Sequence, residues 1–391
     1  MSSVPRHPPP LPPLPVVFAG DRGEFRRLVT RGAGLELITV GFYRFWLATD
    51  IRRHLWSNTI IDGDAAEYTG RGRELLIGFL FALAILVPIY LAYFLVGLEV
   101  ERFKAFASFP LFLFFYLFGQ FAIFRARRYR LTRTVWRGVR FWMDGSGWAY
   151  AMRAGLWALL SVITLGLALP WREAALERYK MRHCYYGDLE GSFEGSGWEF
   201  FRRGWWLWLL AVISTVALSL TKFLPFAPLL VVVAAPFIYA AFKATEWRWW
   251  ISGIRFGGVR LESSLLRGAL AGLYWKAIGW FLAVMALFVG YLFGGAALLA
   301  SMSGKPMAKF FTPANLQGSV SMIVLAMIGY LAFILALNVV LRVYLLRDVW
   351  VKVLASTHVH GIEAAANVAA KGDLANALGE GLADGLDVFG F

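Results

Sequence analysis

Leu37-Ile38-Thr39-Val40-Gly41-Phe42-Tyr43-Arg44-Phe45-Trp46 opens a stretch, closed by Gly70-Arg71-Gly72-Arg73-Glu74, that the chain carries twice. Thr39, Gly41, Trp46, Arg53, Gly70, Gly72 and Glu74 return as Thr164, Gly166, Trp171, Arg178, Gly195, Gly197 and Glu199, each 125 positions on (164 − 39). Seven matches in one register predict an internal repeat. A looser third copy sets Arg44, Asp50, Thr59 and Gly63 against Arg342, Asp348, Thr357 and Gly361, 298 positions on (342 − 44). Such a repeat speaks to construction, and no catalytic constellation lies inside it.

Composition places the chain in a membrane: 59% of its 391 residues are apolar, only 16% are charged, and the mean hydropathy is +0.59. A net charge of +14 would suggest nucleic acid in a soluble protein. Here the arginines sit in short blocks beside apolar runs, as cytoplasmic membrane flanks do, so no nucleic-acid partner is expected. One cysteine, Cys184, excludes an internal disulfide. Residues 1–17 read as a disordered Pro-rich tail without the pattern of a cleavable signal.

Windows without Asp, Glu, Lys or Arg and about 20 residues long predict six membrane spans, at 75–97, 105–124, 204–221, 223–242, 277–304 and 310–341. They form three hairpins. The remaining loops are basic, with Arg125, Arg127, Arg128, Arg130, Arg133, Arg137 and Arg140 in one block, which puts both termini on the cytoplasmic side. Segments 28–47 and 149–169 are apolar but have basic flanks at both ends, so they are expected to be re-entrant or interfacial helices. Two ordinary extra spans, making eight, are the alternative. Asn58-Thr59-Ile60-Ile61-Asp62-Gly63-Asp64 and Tyr185-Tyr186-Gly187-Asp188-Leu189 read as hairpin turns. Gly138-Val139-Arg140-Phe141 and Gly253-Ile254-Arg255-Phe256 form a further recurrence. The expected fold is therefore an all-α polytopic membrane protein with small β-turn elements on the cytoplasmic side. Its divisions are a first membrane repeat over 18–140, a second over 141–260, a third hairpin with a partial repeat over 261–361, and a cytoplasmic tail over 362–391.

The candidate chemistry is sparse. His358-Val359-His360 would put two imidazoles on one face of a strand, short of the three or four ligands zinc needs. Cys184 beside His183 is a weak thiol and base pair, and Asp62-Gly63-Asp64 lacks the spaced acids of a calcium loop. No metal, cofactor or catalytic residue is assigned, and the chain is not expected to be an enzyme. Glu74 and Glu199 stand in matched positions at the mouths of two spans, where an acid is either functional or a complement to the helix dipole. With Arg44 and Arg178 they are candidate path or interaction residues. Glu380, Asp384 and Asp387, at spacings of four and three, share one face of a helix and could meet an arginine block, or they form a solvated acidic tail.

Ile163-Thr164-Leu165-Gly166 with Pro170-Trp171, the Gly-x-Arg-Phe elements and the closing Gly379-Glu380-Gly381-Leu382-Ala383-Asp384-Gly385-Leu386-Asp387-Val388-Phe389 resemble the YjgN-type family of bacterial inner-membrane proteins, a domain of unknown function. The resemblance runs from about Phe18 to the end, and the first copy departs from it with Phe45-Trp46 where the family has Pro-Trp. It implies a polytopic inner-membrane protein with internal repeats and carries over no activity. Two functions follow as expectations: a small-solute or ion transporter, or a non-catalytic protein that binds anionic lipid headgroups or a membrane partner. The sequence leaves a homo-oligomer open.

Overall fold

Short strands at the feet of helix pairs are the recurring local feature of this chain, and they assemble into one sheet. The computed structural model describes residues 12–99, 104–223, 225–302, 304 and 320–375. Two short strands, β1 (Leu14–Pro15) and β2 (Val17–Phe18), precede α1 (Arg22–Ile38) and α2 (Arg44–Ser57), which lead into the hairpin β3 (Thr59–Ile61) and β4 (Asp64–Tyr68). The order of two helices then two strands recurs: α3 (Gly72–Glu99), α4 (Lys104–Thr132), β5 (Thr134–Trp136) and β6 (Val139–Met143); α5 (Gly147–Ile163), α6 (Leu169–Arg182), β7 (Cys184–Tyr186) and β8 (Leu189–Phe193); α7 (Gly197–Ser219), α8 (Ala227–Gly253), β9 (Ile254–Phe256) and β10 (Val259–Ser263). After α9 (Ala271–Met302), α10 (Val320–Val340), a π-helical turn (Leu341–Arg347) and α11 (Asp348–Ala355) comes a single strand, β11 (Thr357–His360).

All eleven strands join one antiparallel sheet whose order follows the chain from β11 back to β3. Segment 14–18 closes it. Leu14 and Pro15 pair with Val359 and His358 of β11, while Val17 and Phe18 pair with Ile60 and Thr59 of β3, so both edges are satisfied by consecutive dipeptides. Alternation sends Val16 inward, where it is buried with Trp136, Tyr186, Val259 and Val359, and leaves Pro15 and Val17 exposed. The interior is filled by aromatic rings: Phe141 lies 4.7 Å from Tyr186 and 5.8 Å from Phe256 between centroids, and Tyr186 Oη donates to the Trp136 carbonyl at 3.0 Å. The barrel is a packed core. Helices enter and leave at one end of the strands, and the hairpin turns, with Gly63 and Gly138 at φ +80° and +75°, lie at the other. Residues after β11 cross that far end: Ile362 and Ala365 are buried in the barrel core, and Ala369 N–H donates to Asp188 Oδ1 at 3.0 Å.

The chain divides into two units. One holds residues up to 20, 45–271 and 351 onward, and includes the whole barrel; the other holds 21–44 and 272–350. In the second, Gly295 meets Leu325 and Gly329 meets Tyr291, so small residues let α9 and α10 approach closely. Arg342 donates to Glu36 Oε1 at 3.1 and 3.2 Å, and Arg22 pairs with Asp348 at 2.7 Å.

These observations overturn the all-α expectation with six spans and two re-entrant helices, and its eight-span alternative. The small turn elements are strands of a single closed sheet, joined by pairings between separate hairpins. Among the described residues four helices are long and apolar enough to cross a membrane, Gly72–Phe94, Ala227–Gly253, Ala271–Met302 and Val320–Ala355. Helix α7 falls short because its first turns carry Glu199, Arg202 and Arg203 and its tryptophans and hydroxyls dilute the rest. Segments 28–47 and 149–169 are not continuous helices. Each is interrupted by a bend, at Thr39-Val40-Gly41 or Thr164-Leu165-Gly166, and a 17-residue helix such as α1 or α5 is about 25 Å long, under the thickness of a bilayer core.

The two bends share one geometry. Val40 and Leu165 sit at φ +51° and +50°, Gly41 and Gly166 both at +86°, and each glycine N–H donates 2.7 Å to the carbonyl five residues back, of Glu36 or Ser161. The matched pair Gly72 and Gly197 has an equally direct cause: a Cβ on either would lie 2.8 Å from the Cα of Trp46 or Trp171. Gly197→Ala is expected to lower stability by about 1–3 kcal/mol through overpacking against main chain, whereas Gly279→Ala, with nothing within 4 Å, leaves it unchanged or raised. Melting temperatures of the two variants in one detergent check this, and equal melting would refute the packing argument.

Candidate anion-binding cleft

Strand alternation builds a strongly charged concavity in the barrel unit. On β9 and β10, Ile254 and Val259 turn inward, so Arg255 and Arg260 face out, and the register sets Arg260 opposite both Arg255 and His360. Three basic side chains thus form a row across three adjacent strands. Arg203 of α7 and Arg248 and Ser252 of α8 complete the lining of a cleft of about 650 Å³, in which Glu262 is the one acidic residue. Arg255 is fixed: Nε pairs with Glu194 at 3.0 Å, and Nη1 donates to the carbonyls of Ser252 and Ile254 at 2.8 Å. Arg203 pairs with Glu199 at 2.6 Å and His360 Nε2 with Glu262 at 3.0 Å. Arg248 and Arg260 are exposed, and among the described residues neither has an ion-pair partner. Two free guanidinium forks over a fixed third suit a multiply charged oxyanion, because each fork can donate two parallel hydrogen bonds.

Behind the strands, charge is buried and satisfied. Glu177 of α6 accepts from Arg127 of α4 at 3.1 Å and from Lys180, and Arg127 also donates to Met181 Sδ. Burial by itself would raise the Glu177 carboxyl, but Lys180 and Arg127 outweigh it and hold it at about 2. Cys184, in the same core, has its thiol pushed up by burial, which makes it a poor nucleophile.

The residues singled out from sequence fall in separate places. Glu74, in the first turn of α3, accepts from Tyr129 Oη at 2.6 Å and pairs with Arg133 at 2.8 Å, while Glu199 pairs with Arg203 one turn along. Each therefore has a local partner. Arg178 is exposed on α6, and its counterpart Arg53 pairs with Asp50 and donates to the Gly70 carbonyl at 3.0 Å. Arg44 begins α2. Glu380, Asp384 and Asp387 lie outside the described residues. Asp62 and Asp64 are both held by Arg137 of the neighbouring hairpin. The Gly-x-Arg-Phe recurrence joins unlike places, since Gly138 is in the β5–β6 turn while Gly253 ends α8. The cleft itself was missed. Its signal was present as charge at alternate positions, Arg260 with Glu262 and His358 with His360, but that pattern does not reveal which strands are neighbours.

Glu177→Gln is expected to cost about 3–5 kcal/mol, because it leaves Arg127 and Lys180 buried without their anion. With a folded value near 2 below an ordinary 4.5, the Glu177 contribution is present above about pH 4.5 and disappears as pH falls toward 2. The gap in melting temperature between wild type and variant should be constant from pH 7 to about 4.5 and narrow from there to pH 3, and an unchanged gap at pH 3 would contradict the assignment.

No curated protein and no solved structure matches the chain. A family model, described as a bacterial protein of unknown function (DUF898), matches residues 13–385, which span the barrel and its helices. The chain belongs to this family, the YjgN-type domain of unknown function.

Proposed function

We propose that this protein is a non-catalytic, multi-pass protein of the bacterial inner membrane that holds a phosphate-bearing lipid headgroup in the basic cleft. The arginine row of the barrel wall carries this reading. Arg248 and Ser252 belong to the last turns of a helix long and apolar enough to cross the bilayer, so the cleft opens where that helix leaves the hydrocarbon, at headgroup level. The basic loops support a cytoplasmic position for the barrel and both termini, and anionic lipids of that leaflet attract clustered arginines by about 1 kcal/mol each. Transport of a small solute or ion is a second reading. It draws on a separate apolar crevice beside α7 and α8 that contains Glu173 and Glu246.

The full chain in nanodiscs or detergent should bind phosphatidylglycerol in preference to phosphatidylcholine, with the preference declining as salt rises. Arg248→Ala/Arg260→Ala should weaken it by about 2 kcal/mol, roughly 30-fold. Native mass spectrometry with competing lipids reads the ratio, and equal retention of both lipids by the wild type would rule the headgroup site out.

A further inference from the structure

The crevice is built by the bend of the α5–α6 hairpin against α7 and α8. Trp208 Nε1 donates to the Leu165 carbonyl at 3.3 Å, which seats the bend halfway along α7. Below it, Phe200, Trp205 and Trp208 of α7 and Tyr239 and Phe242 of α8 wall a cavity of about 590 Å³, within the roughly 300–1,000 Å³ of small-molecule sites. Among its lining residues Glu173 and Glu246 alone are charged. Lys243 pairs with Glu246 at 2.7 Å and Arg172 approaches Glu173 at 3.6 Å, but neither cation lines the cavity. On α8 the lining positions 231, 235, 238, 242 and 246 form one stripe, from which Arg248 and Ser252 are displaced, so the crevice and the basic cleft use different faces of that helix.

An aromatic wall ending at two carboxylates is complementary to one class of ligand. Ring faces attract a desolvated cation, and the two carboxylates, whose own cations lie outside the lining, are the charged groups that it would meet. We propose that the crevice between α6, α7 and α8 binds a lipophilic organic monocation, its apolar body against Trp205, Trp208 and Phe242 and its charge against Glu173 and Glu246. The site stands apart from the headgroup reading and survives if that reading fails.

Tetraphenylphosphonium and tetraphenylborate, of the same shape and opposite charge, provide the test. In equilibrium dialysis against the full chain in detergent, with empty micelles subtracted, the phosphonium should bind and quench tryptophan fluorescence while the borate does not. Glu173→Gln/Glu246→Gln should reduce phosphonium affinity at least tenfold, and Arg248→Ala/Arg260→Ala should leave it unchanged. Should the double glutamine variant not fold, Ala211→Phe, which fills the cavity from α7, should abolish binding instead. Equal binding of the two ions by the wild type, or undiminished phosphonium binding in a folded double glutamine or Ala211→Phe variant, would overturn the proposal.

Discussion

Closure of the sheet by residues 14–18 is the constraint on which the barrel unit depends. An antiparallel ribbon running from β3 to β11 has two unpaired edges, and an open edge invites pairing with another chain. Here one extended segment serves both, with Leu14 opposite Val359 and Val17 opposite Ile60. Pro15 lacks an N–H, yet it occupies an outward position in a strand of two residues, where proline is tolerated. The ladder bond continues from the next residue, Val16 N–H to the Thr357 carbonyl at 3.0 Å. A one-residue slip would expel Leu14 and Val16 from the interior, so the hydrophobic pattern fixes the register at the closing seam.

Once the ring is closed, its strands dictate where the helices stand. Each hairpin follows directly on a helix, and Ser146 and Ser196 cap α5 and α7 as they leave the sheet by accepting from Ala149 and Trp198. Glycines then set how closely neighbours pack, as at Gly72 and Gly197. Inward strand positions meet the helices in a shared core that includes Met143, Cys184, Phe193, Trp249 and Ile254, and the outward ones are left for solvent or ligand. The contrast in charge follows from this. Inside, Arg127 and Lys180 are both paired with Glu177, since an unpaired ion there would cost several kcal/mol. Outside, Arg248 and Arg260 have no carboxylate partner among the described residues, and water satisfies them at little cost.

Local features were legible in the sequence, and long-range ones were not. Asp62-Gly63 announced a tight turn, and the structure shows one with both residues at positive φ. The described parts of the six apolar windows fall on helices, but only four of those helices are long and apolar enough to cross a membrane among the described residues. Helix α7 shows why: tryptophans that belong in an interfacial belt lower its mean apolarity while contributing to its packing. The sheet stayed hidden because strands of two to five residues carry too little pattern to name their partners. The pairings that unify it join hairpins far apart in sequence, as when Trp142 meets Tyr185 or Glu262 meets His358. The basic row combines a local pairing, Arg255 with Arg260 across the β9–β10 turn, with a long-range one, Arg260 with His360, and only the second lies beyond a linear motif.

Helix α8 brings two opposite chemistries together without mixing them. Its stripe from 231 to 246, apolar but for Glu246, walls the crevice, whereas Arg248 and Ser252 belong to the cleft. A mechanical influence of one site on the other would travel as movement of α8 itself. Its last turn is pinned for that purpose as well as for stability: Trp249 stacks on Phe200 at 4.7 Å and donates to the Ser196 carbonyl at 3.1 Å, and Gly253 accepts from Glu194 N–H at 2.9 Å. A shift of α8 would therefore pull directly on α7, which lines both cavities, and on the end of β8 at Glu194, and the packed barrel would resist it.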